Sequence, residues 1–91
     1  MQKRLRVEVT ADDATGKLIA VYLHVNNGET TETREVEPGR AFADYDAAGR
    51  LLGLELQGPC SIGTLTELLR LEPEPVRRFV TSVAPRELVL A

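Results

Sequence analysis

The sequence is short of the residues that staple or signpost small proteins. Its 91 residues hold one cysteine, Cys60, so no intramolecular disulfide can form and no cysteine-based metal spacing exists. There is one histidine, His24, no tryptophan, and four aromatics of the Phe and Tyr type: Tyr22, Phe42, Tyr45 and Phe79. Aliphatic side chains must therefore fill the core. No apolar run nears the roughly 20 residues of a membrane-spanning helix. The basic start, Met1 to Arg6, has no apolar stretch behind it to make a signal peptide. A cytoplasmic location, with no membrane contact, is the expectation. Positive charge is also scarce: eleven Lys and Arg against fourteen Asp and Glu leave a net −3. The excess acid lies in residues 1–57, whereas Arg70, Arg77, Arg78 and Arg86 balance Glu67, Glu72, Glu74 and Glu87 beyond them. Neither part concentrates the positive field on which non-specific nucleic-acid binding depends. A nucleic-acid partner is disfavoured.

What is present is patterned. A hydrophobic content of 43% beside 27% charged residues is that of an ordinary globular chain, and the length suits one domain. Four turn signals punctuate residues 1–57: Asp13-Ala14-Thr15-Gly16, Asn26-Asn27-Gly28, Glu37-Pro38-Gly39 and Asp46-Ala47-Ala48-Gly49. Period-two runs between them predict strands at 3–10, 17–25, 30–36, 40–46 and 50–57. An Asp opening and a Gly closing suit a type I turn with a left-handed glycine. The first and last hairpins share this design at an offset of 33: Asp13, Gly16, Lys17, Ile19, Val21 and Leu23 fall on Asp46, Gly49, Arg50, Leu52, Leu54 and Leu56.

Turn geometry sets an expected register. Val9 should face Val21, Val7 face Leu23 and Leu5 face Val25, an apolar ladder, with Glu8 opposite Tyr22 and Arg6 opposite His24 behind it. In the last hairpin Phe42 should face Leu54 and Asp44 face Leu52, with Tyr45 opposite Leu51 on the other side. The Thr- and Glu-rich run Thr30–Val36 should be an edge strand, and Pro38-Gly39 a type II connection.

After Gly58-Pro59 the period turns helical. Thr64 and Glu67 have capping-box spacing, Leu65, Leu68 and Leu69 form a stripe, and Pro73 stops the helix. Pro75 suits the first turn of a second helix with Val76, Phe79, Val80 and Val83 on one face, ended by Pro85. Neither helix is long enough to stand alone, so both must dock on the sheet. The expected fold is α+β: a five-stranded antiparallel β-meander over 1–57, with two short C-terminal helices (61–84) packed on one face and a tail at 85–91.

Candidate chemistry is thin. Asp44-x-Asp46-x-x-Gly49 has the start of a calcium loop, but the chain then enters a strand without further oxygen ligands. Cys60 and His24 have no third orienting residue; Cys60 reads as a buried small hydrophobe and His24 as a strand residue beside Arg6. Arg77-Arg78 reads as a solvated helix face. No catalytic residue, metal site or cofactor is assigned. Asp44 and Glu55 are possible functional polar residues, because a carboxylate on a half-buried face needs a partner. Two short helices cannot cover both sheet faces. The second face, expected to carry Leu18, Ala20, Tyr22, Ala41, Ala43, Tyr45 and Leu51, has the composition of an interface, centred on Tyr22, Tyr45 and Leu51.

Three stretches carry a family resemblance: Ala20-Val21-Tyr22-Leu23, Thr33-Arg34-Glu35-Val36, and Asp44-Tyr45-Asp46-Ala47-Ala48-Gly49-Arg50-Leu51-Leu52-Gly53-Leu54-Glu55. They make residues 19–59 resemble the YuzE-like family, domain of unknown function 2283. Leu18-Ile19 stands where that family tends to place an acidic residue before the tyrosine. The resemblance implies a small bacterial protein whose relatives' genes often lie beside toxin-like genes, hence an antitoxin-type or other partner-binding role. It implies no catalytic residue. The leading expectation is a protein-interaction module, bound to a protein partner or to itself. The alternatives are a small-ligand-binding protein or enzyme using Asp44 and Glu55, and a nucleic-acid-binding regulator.

Overall fold

The computed structural model describes residues 5–90. Among them, five strands form one antiparallel sheet: β1 (Arg6–Ala11), β2 (Leu18–His24), β3 (Glu32–Glu37), β4 (Ala41–Tyr45) and β5 (Leu51–Leu56). Two helices follow, α1 (Ile62–Leu68) and α2 (Glu74–Val83), so the α+β class is as expected. The strand order is β1-β2-β5-β4-β3. β3, β4 and β5 run as a meander, and the β1–β2 hairpin joins it through antiparallel pairing of β2 with β5. The polar β3 therefore lies at one edge, where its charged side chains stay wet.

Both hairpins turn through left-handed glycines, Gly16 at φ 72° and Gly49 at φ 83°, which only a residue without Cβ adopts cheaply. Gly39 at φ 68°, with Arg40 N–H donating to Glu37 C=O at 3.0 Å, closes the type II connection after Pro38. The turns differ in one respect from the expected pair of copies. In the last hairpin Asp46 Oδ1 accepts from Ala48 N and Arg50 N. In the first it is Asp12, not Asp13, that opens the turn, accepting from Ala14 N and Thr15 N. That loop is one residue longer, because Asp12 N pairs with Lys17 C=O whereas Asp46 N pairs with Arg50 C=O.

Register in the first hairpin follows expectation at Val7–Leu23, Glu8–Tyr22, Val9–Val21 and Arg6–His24. In the last hairpin it does not. Tyr45 faces Leu51 as expected, but Asp44 faces Gly53, Ala43 faces Leu54 and Phe42 faces Glu55. Leu52 is an extra residue in a β-bulge. One inserted residue turns every later side chain over, so Phe42 and Asp44 lie on the opposite face from Leu54. The first hairpin bulges at the equivalent place: Thr10 faces Ala20 and Ala11 faces Leu18, leaving Ile19 unpaired. Ile19 is 51% exposed. Leu52 is buried, its carbonyl accepting from both Val25 N and Asn26 N.

The core lies between one sheet face and the helices. Val21, Leu23, Ala41, Ala43, Leu51, Leu54 and Leu56 meet Cys60, Leu65, Leu69, Val76, Val80 and Leu88. Leu68 and Phe79 are half-buried against this cluster, whereas Val7, expected inside it, is 38% exposed at the β1 edge. The helices sit over the centre of the sheet and leave β1 bare. Ser61, rather than Thr64, caps α1, its Oγ accepting from Gly63 N and Thr64 N. Thr64 is already inside the helix, where its hydroxyl donates to Glu37 at 2.8 Å, and Ser61 N–H donates to the same carboxylate at 3.0 Å. Glu37 thus bolts the start of α1 to the end of β3, and these donors hold its carboxyl below the usual glutamate range. Glu67 pairs with Arg70 instead of reaching back to the cap. Pro75 stands in the first turn of α2 as expected. After Pro85 a short 3₁₀ turn buries Leu88, and β7 (Val89–Leu90) pairs in parallel with β6 (Cys60–Ser61). Among the described residues the tail is spent on the helical side and does not cover the second sheet face.

Candidate functional site

The face left open belongs to Arg6, Glu8 and Thr10 of β1, Ala20, Tyr22 and His24 of β2, Gly53 and Glu55 of β5, Phe42 and Asp44 of β4, and Thr33 and Glu35 of β3. One chain of side-chain contacts, three hydrogen bonds and one ring contact, crosses it from edge to edge. His24 Nε2 lies 2.6 Å from Glu8 Oε1, and the His24 and Tyr22 rings meet at a tilt of 56° with centroids 4.4 Å apart. Tyr22 donates its hydroxyl to Asp44 Oδ2 at 2.6 Å. The other Asp44 oxygen accepts from Thr33 Oγ1, also at 2.6 Å.

Gly53 makes this possible. It stands on β5 between His24 and Asp44, and a Cβ there would meet the Tyr22 hydroxyl at 2.3 Å. The glycine opens a slot across which the phenol of β2 reaches the carboxylate of β4, a close approach of the kind that singles out glycine in strands. Partial burial, then the Asp44 carboxylate, pushes the Tyr22 phenol well above its ordinary range. Tyr22 therefore stays protonated and acts as a hydrogen-bond donor here. Asp44 has both oxygens engaged, and Glu55 accepts from Gln57 Nε2 at 2.5 Å. The group of side chains forms a brace across the face.

Two shallow depressions flank Tyr22, about 270 and 280 Å³, both bordered by Glu55. They fall at the small end of ligand-binding volumes, and the Glu8–His24 pair borders the first of them. Glu8, Asp44, Glu55 and Glu35 set four carboxylates on this face against Arg6.

The residues expected to share an interface are divided between the two faces. Tyr22 is on the open face. Leu51 is buried in the core, and Tyr45 is half-buried on the helical side with the Arg34 guanidinium 4.4 Å over its ring. Ala41 and Ala43 are core residues as well. The bulge at Leu52 is the cause. Tyr45 and Leu51 border a larger groove of about 670 Å³ between the β4–β5 turn and the end of α1, beside Arg34, Arg50, Arg70 and Leu71. Its cations are engaged: Arg34 with Glu32, Arg70 with Glu67, and Arg50 with the side-chain carbonyl of Asn26 at 2.8 Å.

Asn26 was legible only as a turn residue. Buried to 7% exposure, it also donates to Leu51 C=O at 2.7 Å and to Glu72 at 3.0 Å, tying β5 to the loop between the helices. Cys60 is buried among aliphatic side chains, as expected, and burial followed by the Glu37 charge pushes its thiol up to about 11. It lies in the core and His24 on the open face, so the two make no catalytic pair. Asp46 spends Oδ1 on its own turn, and among the described residues no three His, Cys, Asp or Glu side chains are grouped to hold a metal ion. Among the described residues no helix is long and apolar enough to cross a membrane. No family model, curated protein or solved structure matches the chain.

Proposed function

We propose that this chain is a protein-interaction module that offers the open face of its sheet to a protein partner with a basic surface. The observation that carries the proposal is the edge-to-edge brace Glu8–His24–Tyr22–Asp44–Thr33 on a face that, among the described residues, no helix covers. A face braced before binding loses little conformational entropy on docking. Tyr22 and Phe42 supply broad contact area, and the surplus carboxylates favour a cationic partner and steer its approach. Tyr22, Asp44 and Thr33 of the brace, and the Gly53 beneath the phenol, come from the stretches that resemble the YuzE-like family, whereas Glu8 and His24 lie outside them. That resemblance supports an antitoxin-type role in a bacterial cytoplasm, with a toxin-like protein as partner. The engaged state of Asp44 and the small depressions beside Glu55 weigh against the ligand-binding or enzymatic alternative, and the acidity of the face against nucleic acid.

The test is capture of host proteins by the tagged chain, run side by side for wild type and a Glu8→Lys, Glu55→Lys double variant. The variant should keep its melting temperature within a few degrees and lose at least tenfold of any specifically captured protein. Salt should weaken wild-type capture, because the attraction is between exposed charges. Equal capture by a folded variant would remove the open face from the interaction.

A further inference from the structure

The two edges of the sheet are unlike. β3 carries charges at Glu32, Arg34, Glu35 and Glu37, has a bulge between Glu35 and Glu37, and runs into Pro38. Such features keep a strand edge from recruiting another strand. β1 carries one charge of each sign, Arg6 and Glu8, and has no proline or bulge over Arg6–Thr10; its one irregularity lies beyond, between Thr10 and Ala11. Among the described residues its outer edge pairs with no strand, and all six of its residues are exposed. Val7 and Val9 point to the helical side, opposite Leu23 and Val21, yet remain 38% and 61% exposed beyond the reach of the helices.

We infer that β1 is a dimerisation edge, to which a second copy of this chain adds its own β1 antiparallel about a two-fold axis through Val7. Charge selects that register. With the axis at Val7, the two valines face each other on the helical side, and Leu5 of each copy faces Val9 of the other. On the open side Arg6 of each copy then faces Glu8 of the other, twice over by symmetry. Moving the axis to Glu8 would set the two glutamates against each other and leave each arginine opposite Thr10. Directly opposed like charges destabilise a strand pair and opposite charges stabilise it. The Val7 register also matches apolar with apolar on one face and acid with base on the other, the self-complementarity that a two-fold interface requires. The result is a continuous ten-stranded sheet with both helical layers on one side and both open faces on the other. A pair of six-residue strands buries far less than the roughly 1,600 Å² of a standard interface, so the dimer is concentration-dependent. The inference uses the outer edge of β1, which shares Arg6 and Glu8 with the proposed partner face, and it does not depend on a partner binding there.

Sedimentation equilibrium of the purified full chain over a wide concentration range tests it, with circular dichroism confirming that each variant folds. Wild type should pass from monomer to dimer. Arg6→Glu and Glu8→Arg should each weaken dimerisation at least tenfold, because both put like charges opposite each other. An equimolar mixture of those two variants should dimerise again, since each then supplies the charge the other lacks. Dimerisation of Arg6→Glu at wild-type strength would overturn the Val7 register. A wild type that stays monomeric at all concentrations, or a mixture no more associated than its components, would overturn the dimer. Loss of capture by the Glu8→Lys, Glu55→Lys variant can come from either surface, so Glu55→Lys alone, outside β1, separates the two: it should lose partner capture and still dimerise.

Discussion

The two faces of this sheet are built from the same five strands and hold together by different physics. On the covered face Val21, Leu23, Leu54 and Leu56 are fully buried under α1 and α2, and stability comes from removing apolar surface from water. On the open face the chain from Glu8 to Thr33 is made of three directional hydrogen bonds and one tilted ring contact, half exposed to solvent. Such bonds add little net stability in water but fix the positions of side chains. One face sets whether the protein folds; the other sets what shape it shows.

Substitutions can break this contrast. The largest effect should come from Leu54→Ala, which empties a fully buried site and should cost about 2–5 kcal/mol, a large share of a small domain's stability. Phe42→Ala, a larger deletion on the open face, should cost less than half as much in the same denaturant titrations. Equal losses would mean that the open face is core. Next is Gly53→Ala. The added methyl displaces the Tyr22 phenol and should cost about 1–3 kcal/mol. In a Tyr22→Ala background the same change should be nearly silent, and a double-mutant cycle measures the difference.

Tyr22→Phe should cost about 1–2 kcal/mol, since it removes a hydrogen bond to a carboxylate. It should also alter alkaline unfolding. The folded phenol titrates above its ordinary value of 10.0, so its contribution is fully present below that pH and is lost as pH rises beyond it. Tyrosinate absorbance in a Tyr45→Phe background reports this single group. The smallest effect should be at Cys60. Its thiol, raised from about 9 to about 11 by burial, contributes stability below pH 9 that fades as pH climbs toward 11. Maleimide labelling at neutral pH should be slow in the folded protein and fast in urea. Rapid labelling of the native chain would show that the covered face is not closed over Cys60.

Much of the architecture was legible because it rests on local chemistry. Asp and Gly spacing located the hairpins, alternation located the strands, and Pro73, Pro75 and Pro85 bounded the helices. The site was legible only in pieces. Tyr22, Asp44 and Glu55 stood out as unusual side chains on half-apolar strands, but Thr33 looked like ordinary edge polarity and Gly53 entered only as one residue of the resembling stretch. Their role depends on which strands become neighbours. β2 meets β5 rather than β3, and only that order carries the Tyr22 phenol over Gly53 to Asp44.

The bulges mark the boundary most sharply. The 33-residue offset correctly aligned Gly16 with Gly49, and it also aligned Ile19 with Leu52, yet nothing in either residue declares that it will be left unpaired. A bulge is a compromise between two strands and the layers packed on them, so it is settled only when those partners meet. Residue order alone determined that there would be two similar hairpins, five strands and a helical pair with one apolar side. Tertiary structure decided that Tyr45 and Leu51 go under the helices while Asp44 turns outward. The physical reason is the strand's period of two, in which one extra residue exchanges the buried side for the wet one.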